Sequence, residues 1–281
     1  MRFVFSRTRL AALSLLAAAL IALCGCDILR TGEELYCLPE LSEEDADLHG
    51  VLDQVLESGA QSVSPRSGGL RQSAQAADLD GDGETEIIAF FREEDGVTLR
   101  VCIFDRVGEH YSTAAVIEGT GTAIEKADCV RLRGEADSEL LILWNIGDSA
   151  LRYLGVYSLT DWSCEELLAA GCSGCLVTRA GDEQALLMIK YDTELQVGTA
   201  QLYTFSTGMG EKCCEITLPA GLGEDPILSE TILADGSGAI LLENRAGQSC
   251  ILKYEDSSFT ITESTEGEDP PGGSNEKGTD T

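Results

Sequence analysis

Four times along this 281-residue chain the same pattern returns. Glu86-Ile87-Ile88, Glu139-Leu140-Leu141, Gln184-Ala185-Leu186 and Gly238-Ala239-Ile240 each open an apolar run, at intervals of 53, 45 and 54 residues. Every run is followed by a break and a second segment ending on an aromatic residue: Phe104, Tyr157, Tyr203 and Tyr254. The distances from opening residue to aromatic are 18, 18, 19 and 16 residues. Strand-like alternation of apolar and polar residues shows in Thr98–Ile103 and Gln248–Leu252. Recurrence at this interval means one supersecondary unit used repeatedly, each copy burying its apolar face against the next.

Repeats of about 40–50 residues with four strands each have the form of β-propeller blades. The expected fold is all-β: a degenerate β-propeller of about four four-stranded blades over residues 60–263, with blades near 68–120, 121–171, 172–219 and 226–263. The alternative is a β-sandwich of unrelated hairpins, against which the matched spacings weigh. Four blades are the lower limit for ring closure, so an open or domain-completed ring also fits. Ahead of the repeats, residues 42–58 read as one short amphipathic helix, with Ser42 as N-cap and acids in the first turn. Leu48, Val51, Leu52, Val55 and Leu56 form its apolar stripe and Gly59 its stop, which suits a cap on the domain that follows.

The first repeat carries a chemical motif that the others lack. Asp78, Asp80, Asp82 and Glu86 stand at positions 1, 3, 5 and 9 of a loop that has Gly83 at position 6 and runs straight into an apolar strand. Oxygen donors at alternate positions, with a glycine that tolerates the sharp turn, suit a hard cation. An EF-hand would place a bidentate Glu at position 12 between two helices; here that position is Ala89 and the flank is a strand. An ordinary acidic turn would use the same residue types. Counting back from the later anchors gives Arg131, Arg133 and Glu135, then Leu176, Thr178 and Ala180, then Glu230, Ile232 and Ala234. None of these sets offers a competent loop.

The net charge of −30 becomes −33 once the first 25 residues, with Arg2, Arg7 and Arg9 and no acid, are removed. Such a chain repels nucleic acid and attracts cations. Those 25 residues form a signal peptide: three arginines, then an apolar run from Leu10 to Leu23 that is shorter than a membrane-spanning helix needs. Leu23-Cys24-Gly25-Cys26 resembles the bacterial lipobox, which implies lipidation of Cys26 and cleavage before it. The expected location is the extracytoplasmic face of the cell membrane, held by lipid chains, with residues 26–41 as a tether. Nine further cysteines follow Cys26, an odd number, open to three readings: small core residues, one or two disulfides, or a metal site. Strand alternation places the adjacent Cys213 and Cys214 on opposite faces, against a shared site. Residues 264–281 have an acidic composition that reads as disordered.

From the helix through Ser64-Pro65-Arg66-Ser67-Gly68 and the acidic loop to the apolar strand, the chain resembles the VCBS/FG-GAP repeat lipoproteins of Gram-positive anaerobes. The likeness is specific over about residues 60–92 and degenerate beyond. It implies one structural calcium ion, with Asp78, Asp80, Asp82 and Glu86 as side-chain ligands and the Glu84 carbonyl as a backbone ligand. The function expected is a non-catalytic module that binds an extracytoplasmic protein or glycan. The competing function is a cell-surface hydrolase with Asp105, Asp128, Asp137 and Asp161 gathered at the propeller channel.

Overall fold

The structure is a computed structural model that describes residues 43–263 except 109, 135–136, 148–150 and 161–162. The signal segment, the tether with Cys26, Ser42 and the 264–281 tail lie outside these residues. The described residues after Ala46 form one compact unit.

Helix α1 (Glu43–Glu57) precedes seventeen strands among the described residues. Strands β1 (Gln61–Ser62), β2 (Ala74–Ala77), β3 (Glu86–Arg92), β4 (Thr98–Val107) and β5 (His110–Thr120) make the first sheet, where both β1 and β2 pair with β3. The second sheet is β6 (Ala123–Val130), β7 (Glu139–Asn145), β8 (Arg152–Thr160) and β9 (Ser163–Cys172). The third is β10 (Gly174–Ala180), β11 (Glu183–Asp192), β12 (Val197–Thr204) and β13 (Glu211–Thr217). The fourth is β14 (Ile227–Ile232), β15 (Gly238–Glu243), β16 (Ser249–Glu255) and β17 (Ser258–Glu263). All pairings within the sheets are antiparallel and, apart from β1 on β3, follow chain order, so each sheet is a propeller-like blade.

The repeated residues occupy matching places. The four openings fall at the start of the second strand of each sheet, β3, β7, β11 and β15, and the four aromatics lie on the third strand. Ile87 pairs with Phe104, Leu140 with Tyr157 and Leu186 with Tyr203, so the constant spacing is a hairpin register.

Second strands β3, β7 and β11 read as continuous apolar runs because both their faces are covered. On β3, Ile88 and Phe90 face a core shared with Ile124, Leu140, Ile142 and Trp144 of the second blade, while Ile87, Ala89 and Phe91 face the other way. On β7, Leu141 and Leu143 pack with Leu186 and Met188 of β11. Ala185, Leu187 and Ile189 then pack with Ile240 and Leu242 of the fourth blade. Three cores thus join the blades in sequence, and among the described residues no such core joins the first blade to the fourth.

Helix α1 covers the outward face of the first blade. Leu48, Val51, Leu52 and Val55 pack on Ala60, Ile87, Ala89, Phe91, Cys102 and Phe104. Leu56, placed in the stripe by its spacing, is exposed instead. The helix ends as Gly59, at φ +91°, donates its N–H to the Leu56 carbonyl at 3.0 Å. Asp47 fixes the other end: its Oδ2 accepts the Tyr111 N–H at 2.6 Å, and Oδ1 lies 3.0 Å from His110 Nδ1.

The third and fourth blades lack the acidic loop for a structural reason, and one argument about the cysteines needs correction. Leu176, Thr178 and Ala180 are paired residues of β10, and Glu230 and Ile232 belong to β14; the third and fourth blades have no loop at those positions. Their hairpins close directly, through Gly181-Asp182 and through residues 233–237. Cys102, Cys129, Cys164, Cys172, Cys175, Cys213 and Cys214 form no disulfide, and Cys102, Cys172 and Cys250 are buried, as the small-core reading has it. The alternation argument for Cys213 and Cys214 fails, because the β12–β13 register slips: Leu202 pairs with Cys214 and Tyr203 with Lys212, leaving Cys213 in a bulge.

Candidate metal centre

The loop between β2 and β3, residues 78–85, is pinned from within and from below. Leu79, its second residue, is 1% exposed and sinks into the core between the first two blades. Its carbonyl accepts the Ser138 N–H of the second blade at 2.9 Å. Aspartates then shape the turn. Asp78 Oδ1 accepts the Gly81 N–H at 2.8 Å, Asp80 Oδ1 the Asp82 N–H at 3.2 Å, and Asp82 Oδ1 the Glu84 N–H at 2.7 Å. Gly81 and Gly83 adopt φ values of +78° and +90°, which an L side chain would resist.

This folding gathers part of the expected ligand set. One carboxylate oxygen each from Asp78, Asp80 and Glu86 lie within 4.8 Å of one another, and among the described residues this is the one acidic, His or Cys group so arranged. Asp82 is exposed, with its carboxylate turned onto the Glu84 amide, and it stays outside the group. The Glu84 side chain is exposed as well.

Glu86 is the exceptional member. It is 1% exposed, yet it is an acid at the first position of a buried strand. Its Oε2 accepts the Leu79 N–H at 2.6 Å. Its Oε1 is buried with no hydrogen-bond partner. Burial pushes the Glu86 carboxyl up to about 7, against the Leu79 hydrogen bond, and repulsion from Asp80 and Asp105 adds to the shift. Burial also raises Asp80, and the charges of Asp82, Asp105 and Asp78 act in the same direction. A buried carboxylate with a bare oxygen, beside two more carboxylates, is costly without a counter-charge. Carboxylate oxygens suit calcium or another hard cation, so the donor set fits the ion that the sequence suggested.

The channel acids do not converge. Asp128, on β6, takes the Gly69 N–H and pairs with Lys126 at 3.0 Å. Asp137 lies 3.6 Å from Arg133, and Asp161 is outside the described residues. Asp105 follows Phe104 on β4, one residue beyond the pair that Phe104 makes with Ile87, and it is not one of the three grouped carboxylates. Spacing alone missed this residue, because it belongs to a different strand; the β3–β4 register would have found it.

No protein-family model matches the chain, and no curated protein matches it in sequence. Solved structures do resemble it. One is a putative 6-phosphogluconolactonase from Bacteroides uniformis ATCC 8492, with TM-score 0.39 and 12% identity over 71% of this chain and 57% of that one. This chain therefore spans little more than half of that protein's length. A second is a putative 6-phosphogluconolactonase from Bacteroides fragilis NCTC 9343, with TM-score 0.30 and 11% identity over 68% of this chain and 79% of that one. At these TM-scores neither comparison bears on the site. Its own sheets define the class: among the described residues, a propeller-like protein of four blades, the first of five strands and the others of four, led by one helix.

Proposed function

We propose that this chain is a membrane-anchored extracytoplasmic lipoprotein of the VCBS/FG-GAP repeat type, whose blades form a non-catalytic module for a protein or glycan ligand. Calcium at the first blade stabilises that module. The observation that carries the calcium reading is the bare, buried Oε1 of Glu86 beside Asp78 and Asp80. Asp78, Asp80 and Glu86 would hold the ion, which would supply positive charge among these carboxylates and join the loop to β3. The anchor rests on Leu23-Cys24-Gly25-Cys26 behind its apolar run.

Calorimetric titration tests the calcium reading. Wild type should bind one calcium ion, and Asp80→Ala with Asp82→Ala should bind none; equal binding by both refutes it. A ligand at 100 times its Kd adds about 2.7 kcal/mol to stability. Extracellular calcium modules bind at about 10⁻⁴–10⁻³ M. Millimolar calcium should therefore add about 0.4–1.4 kcal/mol, a rise in Tm that the double variant lacks. For the anchor, Cys26→Ala should abolish labelling by a palmitate analogue, and continued labelling would remove Cys26 from consideration.

A further inference from the structure

We infer that the first two blades carry the same cation pocket, filled in the second by its own Arg133, and that Asp105 is a further carboxylate of the first blade's site, contributed by strand β4. The part concerning Asp105 rests on the calcium reading above.

The two pockets correspond residue by residue at an offset of 53. Glu86 and Glu139 both open a buried second strand, and they are 1% and 0% exposed. The Oε2 of each accepts the backbone N–H seven residues earlier, that of Leu79 at 2.6 Å and that of Leu132 at 2.7 Å. Both leucines are buried, so the backbone of the two loops is anchored alike.

They part at the second oxygen. Glu139 Oε1 accepts Arg133 Nε at 2.6 Å, and Arg133 Nη2 donates to Ser158 Oγ at 2.7 Å. A guanidinium thus fills the space between Glu139 and the residue paired with it across the hairpin, Ser158. In the first blade Glu86 Oε1 has no partner, and the residue at Arg133's position is itself an acid, Asp80. The positive group of one pocket is missing from the other, and the acids that would attract a free ion stand in its place.

The same correspondence places Asp105. The β3–β4 ladder ends where Ile87 pairs with Phe104, and the next residues along the two strands are Glu86 and Asp105, at the positions where the second blade pairs Glu139 with Ser158. Ser158 touches the cationic group of its pocket. At the position of that hydroxyl the first blade has a carboxylate, Asp105, which stands outside the close group of Asp78, Asp80 and Glu86 and would turn toward an ion bound there. A serine suffices beside a tethered guanidinium, whereas calcium takes six to eight oxygens and binds more tightly as carboxylates are added.

The test uses the purified full-length protein and calcium chloride. Asp105→Ser, which copies the second blade, should keep one site and weaken calcium binding about 10- to 100-fold, the range for partners that support a metal site. Asp105→Asn should do the same with less change of shape, and a circular dichroism spectrum like that of wild type shows that each variant is folded. Wild-type affinity in both variants overturns the role of Asp105. Asp80→Arg tests the shared pocket without any metal: it should melt above calcium-free wild type and show no response to calcium. Asp80→Arg melting below calcium-free wild type overturns the correspondence. Failure of wild type to bind calcium would end the calcium reading and the role of Asp105 with it, yet a stabilising Asp80→Arg would still establish the shared pocket.

Discussion

At the scale of single residues, the unusual chemistry sits on Glu86. Its folded carboxyl titrates near 7 instead of in the ordinary glutamate range, so between about pH 4.5 and 7 the ion-free folded chain holds a proton that the unfolded chain has released. A raised pKa of this kind contributes stability that is present at low pH and lost as pH rises through 7. Glu86→Gln should therefore stabilise the calcium-free protein at pH 8, on the order of 1 kcal/mol or about 2–4 °C in Tm for a chain of this size. A lower Tm at pH 8 would contradict the burial of a bare charge. On the calcium reading proposed above, protons would compete with the ion for the same oxygen. Calcium affinity should fall about tenfold between pH 8 and pH 6, as titration at the two pH values would show. The sequence displayed most of this site, because loop spacing places Asp78, Asp80 and Glu86 in one short stretch. It did not display Asp82's turn onto the Glu84 amide or the place of Asp105, since both depend on backbone hydrogen bonds and on cross-strand register.

Elements carry the next level. The strands were legible as continuous apolar runs and the helix as a stripe ending at Gly59, because burial from one face or two leaves those periods in the sequence. Departures came where a local backbone event broke the period. The bulge at Cys213 defeats alternation, and direct hairpins in the third and fourth blades absorb positions that the count assigned to loops. The strand pair most sensitive to substitution is predicted at the junction of the first two blades. Trp144 is 1% exposed in their common core, and Gly119 of β5 lies against its ring with no room for a Cβ. Trp144→Ala should cost about 3–5 kcal/mol, whereas Leu56→Ala on the exposed side of α1 should stay within about 0.5 kcal/mol. Chemical denaturation of the two variants would check this order, and similar midpoints would contradict it.

At the scale of the whole described unit, blades interact with their sequence neighbours through separate cores, which makes stability a sum of nearest-neighbour terms. Asp225 adds a longer tie, bridging Arg152 of the second blade at 3.1 Å and Arg245 beside the fourth at 2.7 Å. The second and third blades are covered on both faces, and the fourth on one. Backbone amides of β15 and β16 should therefore exchange with solvent before those of β7 and β8, measurable by hydrogen–deuterium exchange. The reverse order would show that the fourth blade is held by more than its contact with the third. The two ends of the series are also unlike. Helix α1 seals the first blade, while the fourth turns Ile227, Leu241 and Ile251 away from the core it shares with the third, and Ile227 is 54% exposed. The series consequently has a growth direction: a duplicated blade joined after Glu263 could dock as the fourth docks on the third, whereas one inserted before β2 would have to displace the helix.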